Sequence, residues 1–267
     1  MMNYNIKYTA LCDKGLVRAK NQDNFWCMGK FLARENDGLT EPIIDMVSTK
    51  NLPAFAIFDG MGGEQQGEAA AHIAASYFDI IYKESLKDNK DNIQQFLLHA
   101  CARMNNSICE YVKNQQIQRS GSTAAIIMFG KKNIYICNIG DSRIYQFSDN
   151  TLTQISHDHC EVSATMRKTP LSQNLGIPEV EFIIAPYVAK GLYTYGDKYL
   201  ICSDGLTDMI TDDKIAEMMT ENNSITQCAK NLLQQALEAG GNDNITIIIC
   251  EIHRQRRIFP LRGNKIK

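Results

Sequence analysis

Five aspartates in the 267-residue chain stand where an apolar run ends and the chain turns. They are Asp23 in RAKNQDNF, Asp59 in AIFDGMGG, Asp141 in NIGDSRIY, Asp204 in ICSDGL and Asp243 in GGNDNITI. A strand followed at once by Asp-Gly leaves a carboxylate on the rim of a sheet while the chain turns away, and one such site reads as an ordinary β-turn. Five on coinciding rims would repel one another strongly unless cations neutralised them, and hard divalent ions prefer oxygen ligands. The chemistry they predict is a magnesium or manganese centre. Arg18 lies five residues before Asp23 and can face the same rim, where a guanidinium binds a phosphoryl group in bidentate fashion. Gly60, Gly62 and Gly63 permit close backbone approach to a metal or a phosphate. GMGGEQ nevertheless lacks the Lys-Ser/Thr of a P-loop and does not fit the dinucleotide fingerprint.

Two other constellations compete. Cys12 and Arg18 have the Cys-x5-Arg spacing of cysteine-dependent phosphatases, in which a thiolate attacks phosphorus. Nine cysteines and ten arginines in 267 residues supply about 0.3 such matches by chance. No apolar helix follows whose N-terminus would lower the thiol pKa. His157-Asp158-His159 with Cys160 has some character of a zinc cluster, but two histidines one residue apart rarely complete a site without distant partners. A polar loop is the expectation there.

The elements that must position these residues follow from periodicity. Helical stripes are expected over 64–82 (apolar side Ala69, Ile73, Tyr77, Ile80, Ile81), over 91–115, and over 224–239, the last closed by Gly240 and Gly241. Short β-branched runs predict strands near 4–11, 24–28, 54–58, 123–129, 133–139, 143–147, 181–184, 198–202 and 244–252. Lys131-Lys132-Asn133 reads as a hairpin turn. Helices are segregated from strands rather than alternating with them, which argues against a doubly wound parallel sheet. The expected class is α+β, with paired sheets covered by helices.

Hydrophobic residues make up 44% and charged residues 22%, which excludes wholesale disorder and fibrous repeats. The longest apolar runs fall far short of a membrane span, and the N-terminus lacks a basic-then-apolar leader. A cytoplasmic protein is expected, its odd number of scattered cysteines reduced and mostly buried. Residues 253–267 hold six of the 28 Lys+Arg and none of the 30 Asp+Glu, so residues 1–252 carry 22 positive and 30 negative side chains. The organisation expected is one domain over 1–252 with a flexible basic tail over 253–267.

The motifs GLVRAKNQD (15–23), FDGMGG (58–63), GSTA (121–124), NIGDSRIY (138–145), SDGL (203–206) and NDNIT (242–246) together resemble, in content and order, the metal-dependent serine/threonine protein phosphatases of type 2C in their bacterial form. The likeness runs from about Tyr8 to Glu251. It implies a central β-sandwich of two mainly antiparallel sheets in a four-layer α-β-β-α arrangement, with metals at one end. It implies that Asp59 bridges two manganese or magnesium ions, that the Gly60 carbonyl ligates one, and that Asp204 and Asp243 complete the first metal's shell. Asp23 supports the second metal, Asp141 with Asp204 matches a third position, and Arg18 holds substrate phosphate. Gly121, Ser122 and Thr123 match a structural motif.

The activity implied is hydrolysis of phosphoserine and phosphothreonine on proteins, by direct attack of a hydroxide bridging the metals, with Asp59, Asp204 and Arg18 central to catalysis. The partners implied are phosphorylated proteins and an opposing serine/threonine kinase, with no nucleic acid, no membrane insertion and a monomeric chain. Three departures stand out. Gln22 replaces a frequent Glu, which would weaken the second metal's shell. Met61 stands where the eukaryotic branch has His. The segment 158–171 is shorter than the family's flap, although QNLG at 173–176 resumes the pattern. The alternatives are a catalytically weak phosphatase fold serving as a binding or sensor module, whose signature would be lost metal aspartates, and the Cys12-dependent phosphatase.

Overall fold

The computed structural model describes residues 4–62, 66–85, 92–161, 170–221 and 224–255. Twelve strands, five α-helices and one 3-10 helix (Thr49–Asn51) are assigned among them. Sheet A has the order β3-β1-β12-β11-β8-β9 and sheet B the order β10-β7-β6-β4-β2, with every pairing antiparallel. The strands of sheet A are β1 (Tyr4–Asp13), β3 (Ile43–Ser48), β8 (Arg143–Ser148), β9 (Thr151–Gln154), β11 (Lys198–Cys202) and β12 (Ile245–Arg254). Those of sheet B are β2 (Asp23–Cys27), β4 (Ala54–Met61), β6 (Ala124–Phe129), β7 (Asn133–Ile139) and β10 (Tyr187–Leu192), while the two-residue β5 (Gly121–Ser122) pairs with the end of β4.

Both sheets are covered on both faces, so their central strands are continuous apolar runs. Alternate residues still separate cleanly, because side chains on a strand point to opposite faces. In β12, Ile248, Cys250 and Ile252 enter the core between the sheets, while Ile245, Ile247 and Ile249 pack under the outer helices. In β4, Phe55 and Ile57 face the interior, while Ala54, Ala56 and Phe58 face the other helical layer.

That layer is α1 (Gly67–Ser85) and α2 (Ile93–Gln115) against sheet B. Helices α3 (Asp204–Thr207), α4 (Asp212–Glu221) and α5 (Ile225–Glu238) lie against sheet A. The result is the four-layer α-β-β-α sandwich. In α1 the buried stripe is Ala70, Ala71, Ala74, Ala75, Phe78 and Ile81, and Ile80 is exposed. The face expected from the larger apolar residues is therefore rotated. The alanines win because their small side chains bring the helix close to β4.

The strand expected at 181–184 does not form. Val180 and Ile183 are exposed there, and the pairing partner of β7 is β10, which begins just after Pro186. Proline biases the residue before it towards extended backbone, and the ladder starts at the next position. Helix α4 and strands β3 and β9 went unforeseen. Strand β12 extends to Arg254, whose guanidinium lies 4.9 Å from the Tyr195 ring centre. Residues 256–267, most of the basic tail, lie outside the described residues, as do Gly63, Glu64 and 162–169 of the shortened segment.

Candidate metal centre

All five aspartates gather at one end of the sandwich because the register puts the relevant strand ends there. Asp23 opens β2 and pairs directly with Asp59, near the end of β4. The turn from β7 to β8 crosses from sheet B to sheet A and carries Asp141. Asp204 follows β11 after one residue, and Asp243 precedes β12 by two. Asp59, Asp141 and Asp204 each offer a carboxylate oxygen within 4.8 Å of the others, the only such metal-capable group among the described residues. Arg18 reaches in from the loop between β1 and β2 and donates from Nη2 to Asp243 Oδ2 at 2.6 Å.

The electrostatics follow from this crowding. The Asp59 carboxyl is pushed well above the usual carboxylate range, first by burial and then by the charges of Asp23, Asp204, Asp141 and Asp243. Asp23, 2% exposed, rises to about 7 through burial, against two hydroxyl hydrogen bonds that lower it. Arg18 is raised by its hydrogen bond to Asp243, with the fields of Asp204 and Asp59 adding to it. Rigid sheets thus hold like charges together at a cost, and the all-oxygen donor set suits a hard divalent cation.

The backbone around the acids is packed too tightly for any side chain at certain positions. A Cβ on Gly60 would lie 2.2 Å from the Gly67 carbonyl oxygen, and one on Gly205 would lie 2.0 Å from that of Asn244. Gly67 itself is pressed against the Gly60 carbonyl, so the start of α1 closes over the Asp59–Gly60 turn. Thr123 brackets Asp59 from the side: its Oγ1 accepts from the Asp59 N–H at 3.0 Å, and its own N–H donates to the Asp59 carbonyl at 2.8 Å. Thr123 Oγ1 also lies 2.7 Å from Ser142 Oγ, which ties the Asp59 strand to the Asp141 turn.

Three further residues of the SDGL and NDNIT motifs hold the site together. Asn244 is the main anchor of the Arg18 loop. Its Nδ2 donates to the carbonyls of Lys14 and Lys20, and its Oδ1 accepts from the Gln22 N–H. Ser203 and Thr246 both donate to Asp23 Oδ2 at 2.7 Å. Their partners are distant in sequence, so only the polar composition of SDGL and NDNIT could have hinted at them. Gln22, the noted departure, donates from Nε2 to the buried Glu68 on α1 at 3.3 Å.

The competing constellations come apart. Cys12 is buried on β1, its thiol pushed up to about 12 by burial and the charge of Asp23, and Arg18 is turned to Asp243. A thiol in that state is no nucleophile. His159 accepts from the Gly140 N–H through Nδ1 at 3.3 Å, and Asp158 pairs with Arg143 at 2.8 Å. The His157–Cys160 stretch therefore braces the Asp141 turn, as a polar loop would.

Beside Met61 and Gly62 lies a groove of 850 Å³, bordered by Lys113, Arg119, Asn174 and Phe182. No helix among the described residues is long and apolar enough to cross a membrane.

Comparison with known proteins places the chain by family and by fold. A family profile described as Protein phosphatase 2C matches residues 41–239. The serine/threonine phosphatase stp of Listeria welshimeri is 27% identical over 258 residues, covering 90% of this chain and 93% of its own. The serine/threonine protein phosphatase PstP of Mycobacterium tuberculosis is 28% identical over 263 residues, and the match spans 92% of this chain but only 45% of that protein. The catalytic domain of PstP, solved in complex with two manganese ions, superposes with a TM-score of 0.74 at 27% identity, over 94% of this chain and 99% of that one.

Proposed function

The chain belongs to the protein phosphatase 2C family, and from that premise we propose that it hydrolyses phosphoserine and phosphothreonine on proteins with the help of divalent cations at the acidic rim. The convergence of Asp59, Asp141 and Asp204 within 4.8 Å carries the reading. On it, Asp59, the Gly60 carbonyl, Asp204, Asp243 and Asp23 would hold two ions, and Asp141 with Asp204 would hold a third. Manganese or magnesium suits these ligands equally in charge and hardness. When bound, such cations lower the pKa of water enough to supply hydroxide near neutral pH and offset charge on the phosphoryl group.

The protein's own part is positional. Arg18 lies beside Asp243 at the mouth of the cluster, where its guanidinium would bind the transferring phosphoryl oxygens. Asp59 near the end of β4 and Asp204 at the start of α3 would hold the cation ligands in fixed positions. The groove beside Met61 has room for the polypeptide around the phosphorylated side chain. No side-chain nucleophile is needed. No disulfide joins the cysteines among the described residues, which fits a reducing compartment, and a cytoplasmic monomer opposing a serine/threonine kinase is the setting we assign.

The deciding experiment measures phosphate release from a phosphothreonine peptide and from para-nitrophenyl phosphate. Turnover should be absent in chelator and restored by manganese or magnesium. Full turnover in chelator would overturn the metal mechanism, and no turnover with either ion would favour a binding module.

A further inference from the structure

Asp23 differs from the other rim carboxylates in how it is held. It belongs to β2 in sheet B, yet both of its hydroxyl partners come from sheet A: Ser203, between β11 and Asp204, and Thr246 in β12. Both hydrogen bonds, each 2.7 Å, fall on the same oxygen, Oδ2. A carboxylate oxygen has two lone-pair sites, so Oδ2 is saturated by the protein and Oδ1 alone remains for a cation.

The two hydroxyls are themselves locked. Ser203 Oγ accepts from the Thr246 N–H at 3.0 Å, and the Ser203 N–H donates to the Thr246 carbonyl at 3.1 Å. Both side chains are fully buried. Ser203 is also the residue before Asp204, so one dipeptide fixes the orientation of Asp23 and supplies a second carboxylate to the cluster.

We propose that Ser203 and Thr246 are positioning residues for the divalent-cation site, a hydroxyl clamp that restricts Asp23 to one available oxygen and sets its distance from Asp204. This rests on the metal-dependent reading above. A carboxylate with both oxygens open can swing and bind a cation through either or both. The clamp removes that freedom before any ion arrives, and it does so across the gap between the sheets, where independent strands would otherwise drift. Hydrogen bonds of this kind to a metal-binding carboxylate are worth about 10- to 100-fold in metal affinity.

The test is calorimetric titration of Mn2+ into the chelator-stripped enzyme, together with para-nitrophenyl phosphate turnover as a function of Mn2+ concentration. Thr246→Val keeps the shape and the strand propensity but deletes the hydroxyl. Thr246→Ser keeps the hydroxyl. The expected result is a roughly 10- to 100-fold weakening of one Mn2+ binding phase in Thr246→Val, little change in Thr246→Ser, and a kcat at saturating Mn2+ that Thr246→Val largely retains.

Ser203→Ala should weaken the same phase, and it carries the test should Thr246→Val fail to fold. Wild-type binding in Thr246→Val, or in Ser203→Ala where that variant carries the test, overturns the clamp; so does equal loss in Thr246→Ser and Thr246→Val, because packing of the methyl group would then explain it. If the wild-type protein takes up no Mn2+ at all, the metal-dependent reading itself fails and the clamp goes with it.

Discussion

The interior of the sandwich and the rim above it are built from the same strands and obey opposite rules. Between the sheets, Phe55, Ile57, Ile127, Ile201 and Ile248 are fully buried in one hydrophobic cluster. A few residues along the same strands, Asp23, Asp59, Asp204 and Asp243 bring like charges together, and the carboxyl of Asp59 is pushed well up by burial and then by its neighbours. The first region lowers the free energy of the fold. The second raises it, and is tolerated because twelve paired strands hold the backbone in place. The difference teaches where to look for chemistry in a stable sandwich: at the strand ends that a rigid body forces into electrostatic conflict.

Substitution on either side should break this contrast in opposite directions. Asp59→Asn is expected to lower kcat by about 10³-fold, the worth of several kcal/mol of transition-state charge stabilisation. In chelator, the same variant should melt at a higher temperature than wild type, because one member of a repelling group has become neutral. Ile248→Ala should do the reverse. It should cost about 2–5 kcal/mol in urea unfolding and leave turnover per folded molecule near the wild-type value. A fall in metal-free stability for Asp59→Asn would mean that the rim is not under strain.

Acidity sharpens the comparison further. Asp23 titrates near 7 in the fold against about 4 in an unfolded chain, so the native state holds its proton more tightly. Its contribution to stability is complete below the unfolded value and is lost as pH rises through the folded one. Between about pH 4 and 7 the chelator-treated protein should therefore lose stability from this group, and then level off. Manganese should reverse the slope, since it binds the ionised carboxylates. Thermal melts of wild type and Asp23→Asn across this window check the assignment, and the variant should show the shallower decline. Identical slopes would remove Asp23 as the source.

Much of this was readable beforehand, for physical reasons that also explain the gaps. Continuous apolar runs such as Ile245 to Cys250 announce strands covered on both faces, and Asp-Gly after such a run announces a rim carboxylate. Helix α2 was legible because Ile93, Leu97, Ala100, Cys101, Met104 and Ile108 form one stripe, all buried. Helix α4 was missed because its buried apolar set is only Ile215, Met218 and Met219 in ten residues. Strand β3 was missed because Ile44 and Met46 face outward on an edge, where alternation is not enforced by burial. The positions of the aspartates were visible as turns, whereas the clamp on Asp23 was not. Its donors are 180 and 223 residues away, and nothing local requires a serine or threonine to meet a particular carboxylate.

The smallest expected effect tests the border between the two regions. Cys12 lies where interior meets rim: it packs with the core between the sheets, yet its sulfur accepts from Asn21 Nδ2 at 3.1 Å and lies 3.2 Å from Thr246 Oγ1, whose own hydrogen goes to Asp23. If the acidic rim performs the reaction, the thiol contributes only packing and a weak acceptor, and Cys12→Ala should retain most of the manganese-dependent kcat. The stability cost should be about 1 kcal/mol, the scale for losing a small buried group. If Cys-x5-Arg were the chemical unit, the same substitution would abolish turnover, and activity would persist in chelator because a thiolate needs no cation. The two schemes thus disagree on both axes at once. Measuring Cys12→Ala with and without chelator separates them even if the variant is somewhat less stable, since lowered stability reduces both conditions equally and cannot create turnover without metal.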